Sequence, residues 1–157
     1  MELLECLTQA QAVWLSGRLP SPWLQQAIQQ AEQPGASTWI CGPQGTEFAL
    51  FAQLCTRLAH PAVPGQQAHR PQQLHFLTAT APQAGACWIP PLRERKDDLV
   101  VWARFAADCL NKQLEESALN YLQRQDWPGN TQELLAHVAA CAHRSTQPLL
   151  QLADVVA

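Results

Sequence analysis

The chain has 157 residues, of which 47% are hydrophobic and 15% are charged, and its formal net charge at pH 7 is −3. A chain of this length fits one domain of ordinary size that buries roughly two thirds of its unfolded surface. Charged residues make up about 25% of a typical globular chain, so the low charged content excludes a disordered polyampholyte. The small negative net charge gives no field that would draw the chain onto nucleic acid or an anionic bilayer.

Six cysteines are spread along the chain without a C-x-x-C pair, and each has apolar neighbours. They are Cys6, Cys41, Cys55, Cys87, Cys109 and Cys141. This spacing favours buried thiols over a disulfide framework, a redox pair or a zinc site. The first five residues, M-E-L-L-E, are acidic where a signal peptide would be basic, and no apolar run approaches the ~18 residues that a membrane span needs. We therefore expect a cytoplasmic protein that does not cross a membrane.

The first half of the chain predicts two helices and then a strand–loop–helix unit. Residues 3–16 and 21–32 carry apolar side chains at helical spacing, and the G-R-L-P sequence between them ends the first helix. Residues 37–41 have strand propensity and are followed by the glycine loop G-P-Q-G. From Thr46 the apolar spacing predicts a buried helix that ends at residues 60–61, before an irregular connection over residues 61–73.

The rest of the chain predicts two more strands and then three helices. The strands are expected over residues 74–80 and 86–89, so the sheet is small. The three helices are expected around residues 98–110, 114–122 and 130–139, with Trp102 and Trp127 in their core. Asp97 or Asp98 is predicted to cap the first of these helices. Asn130, with Glu133 three residues later, is predicted to cap the third.

Three segments resemble the AAA+ domain of bacterial enhancer-binding proteins, the activators of sigma-54 RNA polymerase. Residues 89–99, I-P-P-L-R-E-R-K-D-D-L, resemble that family's L-P-P-L-R-E-R-x-x-D-I, and residues 126–134, D-W-P-G-N-T-Q-E-L, resemble its lid motif W-P-G-N-V-R-E-L. Residues 41–48, C-G-P-Q-G-T-E-F, take the place of its phosphate loop G-E-S-G-T-G-K-E. The resemblance runs nearly end to end, with a large internal deletion.

The resemblance implies a reduced AAA+ fold of the α/β class. We expect a P-loop-like α/β subdomain with a small parallel sheet over residues 1–95, and a C-terminal three-helix lid subdomain over residues 96–157. The segments that carry the family's acidic pair, its sigma-factor loop and its arginine finger fall in the deletion.

The phosphate loop departs from the family at the two positions that matter for binding phosphates. A polyphosphate requires a final glycine and a lysine there, but Glu47 and Phe48 stand at those positions, so the loop offers a carboxylate to the phosphates. No acidic residue between positions 48 and 93 is present to hold Mg²⁺ or polarise water, and Gln132 replaces the lid arginine that senses nucleotide. We expect no enzyme activity, no cofactor and no metal.

The sequence allows two interpretations of the glycine loop. Gly42, Gly45 and Thr46 are candidates for a residual phosphate or anion site, because a helix N-terminus keeps its free N–H groups and dipole without the lysine. The same three residues also fit a purely structural turn.

Four side chains are candidates for protein contacts. Trp14 and Trp23 lie on the N-terminal helices, and tryptophan serves as an interface anchor as readily as a core residue. Arg93 and Arg95 fit either a docking patch or a hinge in which they pair with the acidic residues at positions 94, 97 and 98.

The leading hypothesis is a non-catalytic remnant of a sigma-54 activator domain that acts as an interaction or regulatory module in transcription regulation. Its expected partner is a protein, either an intact AAA+ activator or a second copy of the chain. The alternative is a nucleotide sensor that binds ATP or ADP without hydrolysis. Direct DNA binding is a third possibility that we do not expect, because the net charge disfavours it and the last residues resemble the end of the ATPase domain instead of a helix-turn-helix reader.

Overall fold

The structure is a computed structural model that describes residues 8–20, 22–31, 38–48, 50 and 74–156. Several predictions lie outside these residues. They are the start of the first helix, most of the helix that follows Thr46, the connection over residues 61–73, and the environments of Cys6 and Cys55.

Two N-terminal helices lie within the segments predicted to be helical. Helix α1 spans Gln9–Ser16 and α2 spans Trp23–Ala31. The hydroxyl of Thr8 accepts the backbone N–H of Gln11 at 3.2 Å, and the side-chain oxygen of Gln11 accepts the N–H of Thr8 at 3.0 Å. This reciprocal pair satisfies two amides that have no partner inside the helix, and it therefore fixes where α1 begins.

Three parallel strands form the small sheet that the sequence predicts. Strand β1 spans Thr38–Gly42, β2 spans Leu74–Thr78 and β3 spans Ala86–Trp88. Their order is β2-β1-β3, so β1 is central and pairs with both neighbours. Strands β2 and β3 end one or two residues before the predicted ends. The chain after β1 enters the glycine loop, and Phe48 and Leu50 beyond it are helical.

The C-terminal half is helical, as predicted, with two small additions. Helix α3 spans Lys96–Asp108, α4 spans Glu116–Arg124, α5 spans Asn130–Arg144 and α6 spans Leu152–Val156. The additions are α6 and a two-stranded parallel pair, β4 at Gln113–Leu114 and β5 at Leu149–Leu150. Across the described ranges, no helix has the length and apolar character needed to span a membrane.

Both predicted helix caps are wrong. Helix α3 begins at Lys96 with Arg95 at the capping position and no side-chain cap, while Asp98 is fully buried. Helix α5 has Gly129 at its capping position, and the carboxylate of Glu133 accepts the Gly129 N–H. The side chain of Asn130 is used elsewhere.

The buried apolar residues of the two halves form one continuous cluster. Its largest fully buried side chains include Leu15, Leu24, Ile40, Ile89, Leu99, Trp102, Leu122 and Leu134. The prediction that Trp102 and Trp127 belong to the core is confirmed, since they are 0% and 6% exposed. The division of the chain at residue 95 stays a prediction.

Candidate functional site

The glycine loop closes tightly at the carboxyl end of β1. The Thr46 side chain is buried, and its hydroxyl donates a hydrogen bond to the Pro43 carbonyl at 3.0 Å. A Cβ at Gly42 would lie 2.9 Å from the Thr46 hydroxyl oxygen and 3.2 Å from Ile89 Cβ, so the turn requires glycine there. The structure therefore brings the predicted loop residues Gly42, Gly45 and Thr46 together in one turn.

The start of helix α5 lies directly against this loop. Gly45 has φ +87°, and a Cβ built on it would lie 2.0 Å from the carbonyl oxygen of Gly129. The Gln132 N–H donates to the Gly45 carbonyl at 3.0 Å. The backbones of the glycine loop and of the start of α5 are therefore in direct contact.

Asn130 joins three segments with one side chain. Its Oδ1 accepts the Leu92 N–H at 3.0 Å, and its Nδ2 donates to the Gln44 carbonyl at 2.8 Å. Asn130 is 2% exposed and has φ +57°, a backbone conformation that asparagine tolerates better than most residues. The sequence predicts a cap at Asn130 and not this role, for which the local sequence contains no signal.

The Glu47 carboxylate points into the protein. Glu47 is 0% exposed, and its Oε1 accepts hydrogen bonds from Arg95 Nη2 at 2.9 Å and from the Thr131 hydroxyl. The expectation that the loop offers this carboxylate to a polyphosphate is therefore wrong. Spacing in the sequence gives no hint of the Glu47–Arg95 pair, whose members lie 48 residues apart.

Arg95 is the centre of a buried group of charges. Its Nη1 lies 3.1 Å from Asp98 Oδ2, its Nε donates to the Pro90 carbonyl at 2.9 Å, and Asp98 Oδ2 also accepts the indole N–H of Trp23 at 3.2 Å. The predicted pairing of Arg95 with Asp98 is confirmed. Arg95 and Trp23 are 4% and 6% exposed, so neither is available to a docking surface and that hypothesis is wrong for both.

The remaining interaction candidates lie at the surface. Arg93 is exposed in the short 3-10 turn at Leu92–Glu94. Trp14 is 39% exposed, and the guanidinium carbon of Arg18 lies 4.0 Å from the centre of its ring. Of the two tryptophans proposed as anchors, only Trp14 is therefore positioned to meet a partner.

Phe48, at the position of the phosphate-loop lysine, is directed toward the sheet. It is half-buried, and its ring centre lies 5.1 Å from that of Phe76 on β2. An aromatic ring packed in this way supplies no positive charge to the loop.

The four described cysteines are free. Cys41 and Cys141 are buried as predicted, whereas Cys109 is exposed. Burial raises the pKa of the Cys87 thiol, and the nearby Cys41 raises it further. A raised pKa lowers the thiolate fraction at neutral pH. Within the described residues, no three metal-ligating side chains are grouped where they could hold an ion.

A comparison with models of known protein families finds no match, and a comparison with curated proteins finds none either. Among solved structures, the fold matches a crystal structure of NtrX from Brucella abortus in complex with ADP, with a TM-score of 0.57 and 15% sequence identity. The match covers 88% of this chain and 55% of that chain. The chain has a reduced AAA+ fold. At this identity the likeness concerns the fold alone, and it confirms the predicted α/β class with a small parallel sheet.

An AAA+ fold implies a nucleotide at the glycine loop, and the residues present do not fit one. The ring of Phe48 stands at the position of the lysine and packs on Phe76, so this position supplies no positive charge to a phosphate. Glu47 stands at the position of the family's final glycine, and its carboxylate is bound by Arg95 and Thr131.

Proposed function

We propose that the chain is a non-catalytic module of AAA+ fold that acts through protein contacts in transcription regulation. The observation that carries the proposal is the direct contact between Gly45 of the glycine loop and Gly129 at the start of α5. A module whose loop and lid already touch has no need of a nucleotide to bring them together.

The composition of the loop supports the non-catalytic part of the proposal. Phosphoryl transfer depends on positive charge on the phosphates and on a metal ion held by acidic residues. Phe48 stands at the lysine position and packs on Phe76, and no acidic residue occurs between positions 48 and 93. The link to transcription rests on the resemblance of residues 89–99 and 126–134 to the sigma-54 activators.

Exposed apolar side chains support the protein-contact part. Trp39 and Leu77 are 45% and 41% exposed. Trp39 stacks on His75 with 4.4 Å between ring centres, and Leu77 lies on the same face of β2 as His75 because strand side chains alternate. We call Trp39, His75 and Leu77 the open sheet face. We assign the open sheet face and the exposed ring of Trp14 on α1 to contacts with an AAA+ activator or with a second copy of the chain.

Calorimetry with ATP and with ADP, each with Mg²⁺, tests the proposal that the module works without nucleotide. We expect affinities weaker than about millimolar and no phosphate release above a buffer blank, because the loop lacks its charge-assisted contact. A dissociation constant in the micromolar range would contradict the proposal.

A second candidate function is that of a nucleotide sensor that binds without hydrolysis. The ADP in the NtrX structure is the observation that favours it. The same titration decides between the two, since a sensor must bind ATP or ADP measurably.

The contact surface is tested by light scattering over a concentration series. We expect the wild-type mass to rise with concentration, or the protein to retain a partner from native lysate, and a Trp39→Ser/Leu77→Ser variant to lose that behaviour. A matched control is Leu149→Ser, since Leu149 is 38% exposed in the helical half. A strict monomer that also captures no protein would contradict this part of the proposal.

A further inference from the structure

Buried charge is concentrated where the glycine loop meets the helical half. Two carboxylates, Glu47 and Asp98, share the single guanidinium of Arg95, and the side-chain exposures are 0%, 0% and 2%. Removing charges from water is costly, and one guanidinium balances only one of the two carboxylates, so deleting Arg95 would leave two uncompensated buried charges. Both carboxylates therefore depend strongly on Arg95.

Among the described residues, the side-chain hydrogen bonds of Glu47 cross from the loop to the helical half. Its Oε1 is bound by Arg95, which immediately precedes α3, and by Thr131 in the first turn of α5. Its Oε2 is buried and has no hydrogen-bond partner among the described residues. If α5 moved off the loop, Glu47 would therefore lose a donor that the loop itself does not replace.

The position of this carboxylate has a second physical basis. Thr131 is the second residue of α5, so the Glu47 carboxylate lies at the N-terminus of that helix, where the helix dipole favours negative charge. At helix N-termini of phosphate-binding loops, a bound ligand supplies that charge. Here a side chain of the loop supplies it.

We infer that Glu47 is a built-in anion that holds the start of α5 against the glycine loop, so that closure of the helical half over the loop is permanent and independent of nucleotide. We call the contacts of Glu47 with Arg95 and Thr131 the latch. The inference rests on the proposed absence of nucleotide from the loop.

Hydrogen exchange on the full chain tests the latch one amide at a time. The N–H of Gln132 donates to the Gly45 carbonyl and the N–H of Leu92 donates to Asn130. Their exchange rates therefore measure opening of the contact between the glycine loop and the helical half, which we call the junction. The amides of Ala103 and Ala106, in the buried middle of α3, measure unfolding of the whole chain.

Two variants weaken the latch and keep its packing, and a third variant is the control. Glu47→Gln keeps the size of the side chain and removes its charge, and Thr131→Val replaces the hydroxyl with a methyl group of similar size. Glu94→Gln makes the same charge change at an exposed residue of the neighbouring 3-10 turn.

We expect Glu47→Gln to accelerate exchange at Gln132 and Leu92 on the order of 10- to 100-fold, the range that follows from losing hydrogen bonds to a charged group. Thr131→Val should act in the same direction, with exchange in the middle of α3 unchanged in both variants. Glu94→Gln should change nothing, and ATP or ADP at millimolar concentration should leave the wild-type rates unchanged.

Two outcomes would overturn the latch. One is unchanged exchange at Gln132 and Leu92 in both variants. The other is an equal acceleration at Ala103 and Ala106, which would make Glu47 a contributor to overall stability only. Failure of the proposed function gives a different result, namely calorimetric binding of nucleotide together with slower wild-type exchange at Gln132.

Discussion

The indole N–H of Trp23 donates a hydrogen bond to the Asp98 carboxylate at 3.2 Å, across 75 residues of sequence. Because Asp98 also binds Arg95, Trp23 connects helix α2 to the buried charges at the loop. The guanidinium carbon of Arg95 lies 5.4 Å from the centre of the Trp23 ring, within the range of a cation–π contact. A side chain that the sequence proposes as a surface anchor is therefore a support for the junction.

Trp23→Phe should destabilise the protein. Phenylalanine keeps most of the ring packing but removes the hydrogen bond to a charged acceptor, which we expect to lower the free energy of unfolding by about 1.5–3 kcal/mol. Urea unfolding measures the change. The control is Trp14→Phe at the 39% exposed tryptophan, where we expect less than about 0.5 kcal/mol. Equal losses in the two variants would place Trp23 outside the junction.

Trp127→Ala should be among the most damaging substitutions in the helical half. Trp127 is 6% exposed, and its indole N–H donates to the Leu122 carbonyl at 2.7 Å. Truncating a buried tryptophan leaves a cavity and costs about 3–5 kcal/mol. Thermal unfolding compares it with Trp39→Ala, at a ring that is 45% exposed. A melting temperature lowered by only about one degree would contradict the assignment of Trp127 to the core.

The elements that could be predicted from the sequence are those set by local physics. The start of β1, the glycine loop that ends it and the helices after residue 95 follow from apolar spacing and from glycine and proline at their boundaries. Strands β4 and β5 could not be found in this way. They have two residues each, and Leu149 and Leu150 alone show no period.

The candidate site was beyond prediction because its contacts are long-range. Glu47 meets Thr131 across 84 residues and Arg95 across 48, and those distances in sequence are set by how the halves pack. Local signals were even misleading at Asn130. Its spacing from Glu133 favours a capping box, but its positive φ turns the side chain toward Leu92 and Gln44 instead.

Asn130→Asp should weaken the contact between the glycine loop and α5. The substitution replaces the donating Nδ2 with an oxygen that faces the Gln44 carbonyl, so a hydrogen bond becomes a repulsion. We expect a loss of about 1–3 kcal/mol in the free energy of unfolding. Asn111→Asp is the matched control, because Asn111 also has positive φ, at 56°, but is exposed. The prediction fails if chemical unfolding gives the same midpoint for both variants.

The Cys109 thiol should react slowly at neutral pH although it is exposed. Partial burial raises its pKa, and the Asp108 carboxylate raises the pKa further. The thiolate is the reactive form, so alkylation by iodoacetamide should increase with pH and reach half its maximum rate above the pH found for a free cysteine. Asp108→Asn should shift that midpoint downward only in part, because burial is the larger cause. Mass spectrometry of modified Cys109 over a pH series checks both expectations, and an unshifted midpoint in the wild type would contradict them.

Gly45→Ala tests whether the loop and the start of α5 are in contact, and Gly85→Ala is its control. Both glycines have positive φ, at 87° and 77°, so alanine costs about 1–2 kcal/mol at either position through the backbone alone. At Gly85 a new Cβ meets nothing within 4 Å, whereas at Gly45 it would lie 2.0 Å from the Gly129 carbonyl oxygen. We therefore expect Gly45→Ala to lose a further 1–3 kcal/mol or so, the usual cost of overpacking, and to accelerate amide exchange at Gln132. Urea unfolding measures the difference between the two variants, and equal losses would mean that the glycine loop and α5 are apart in solution.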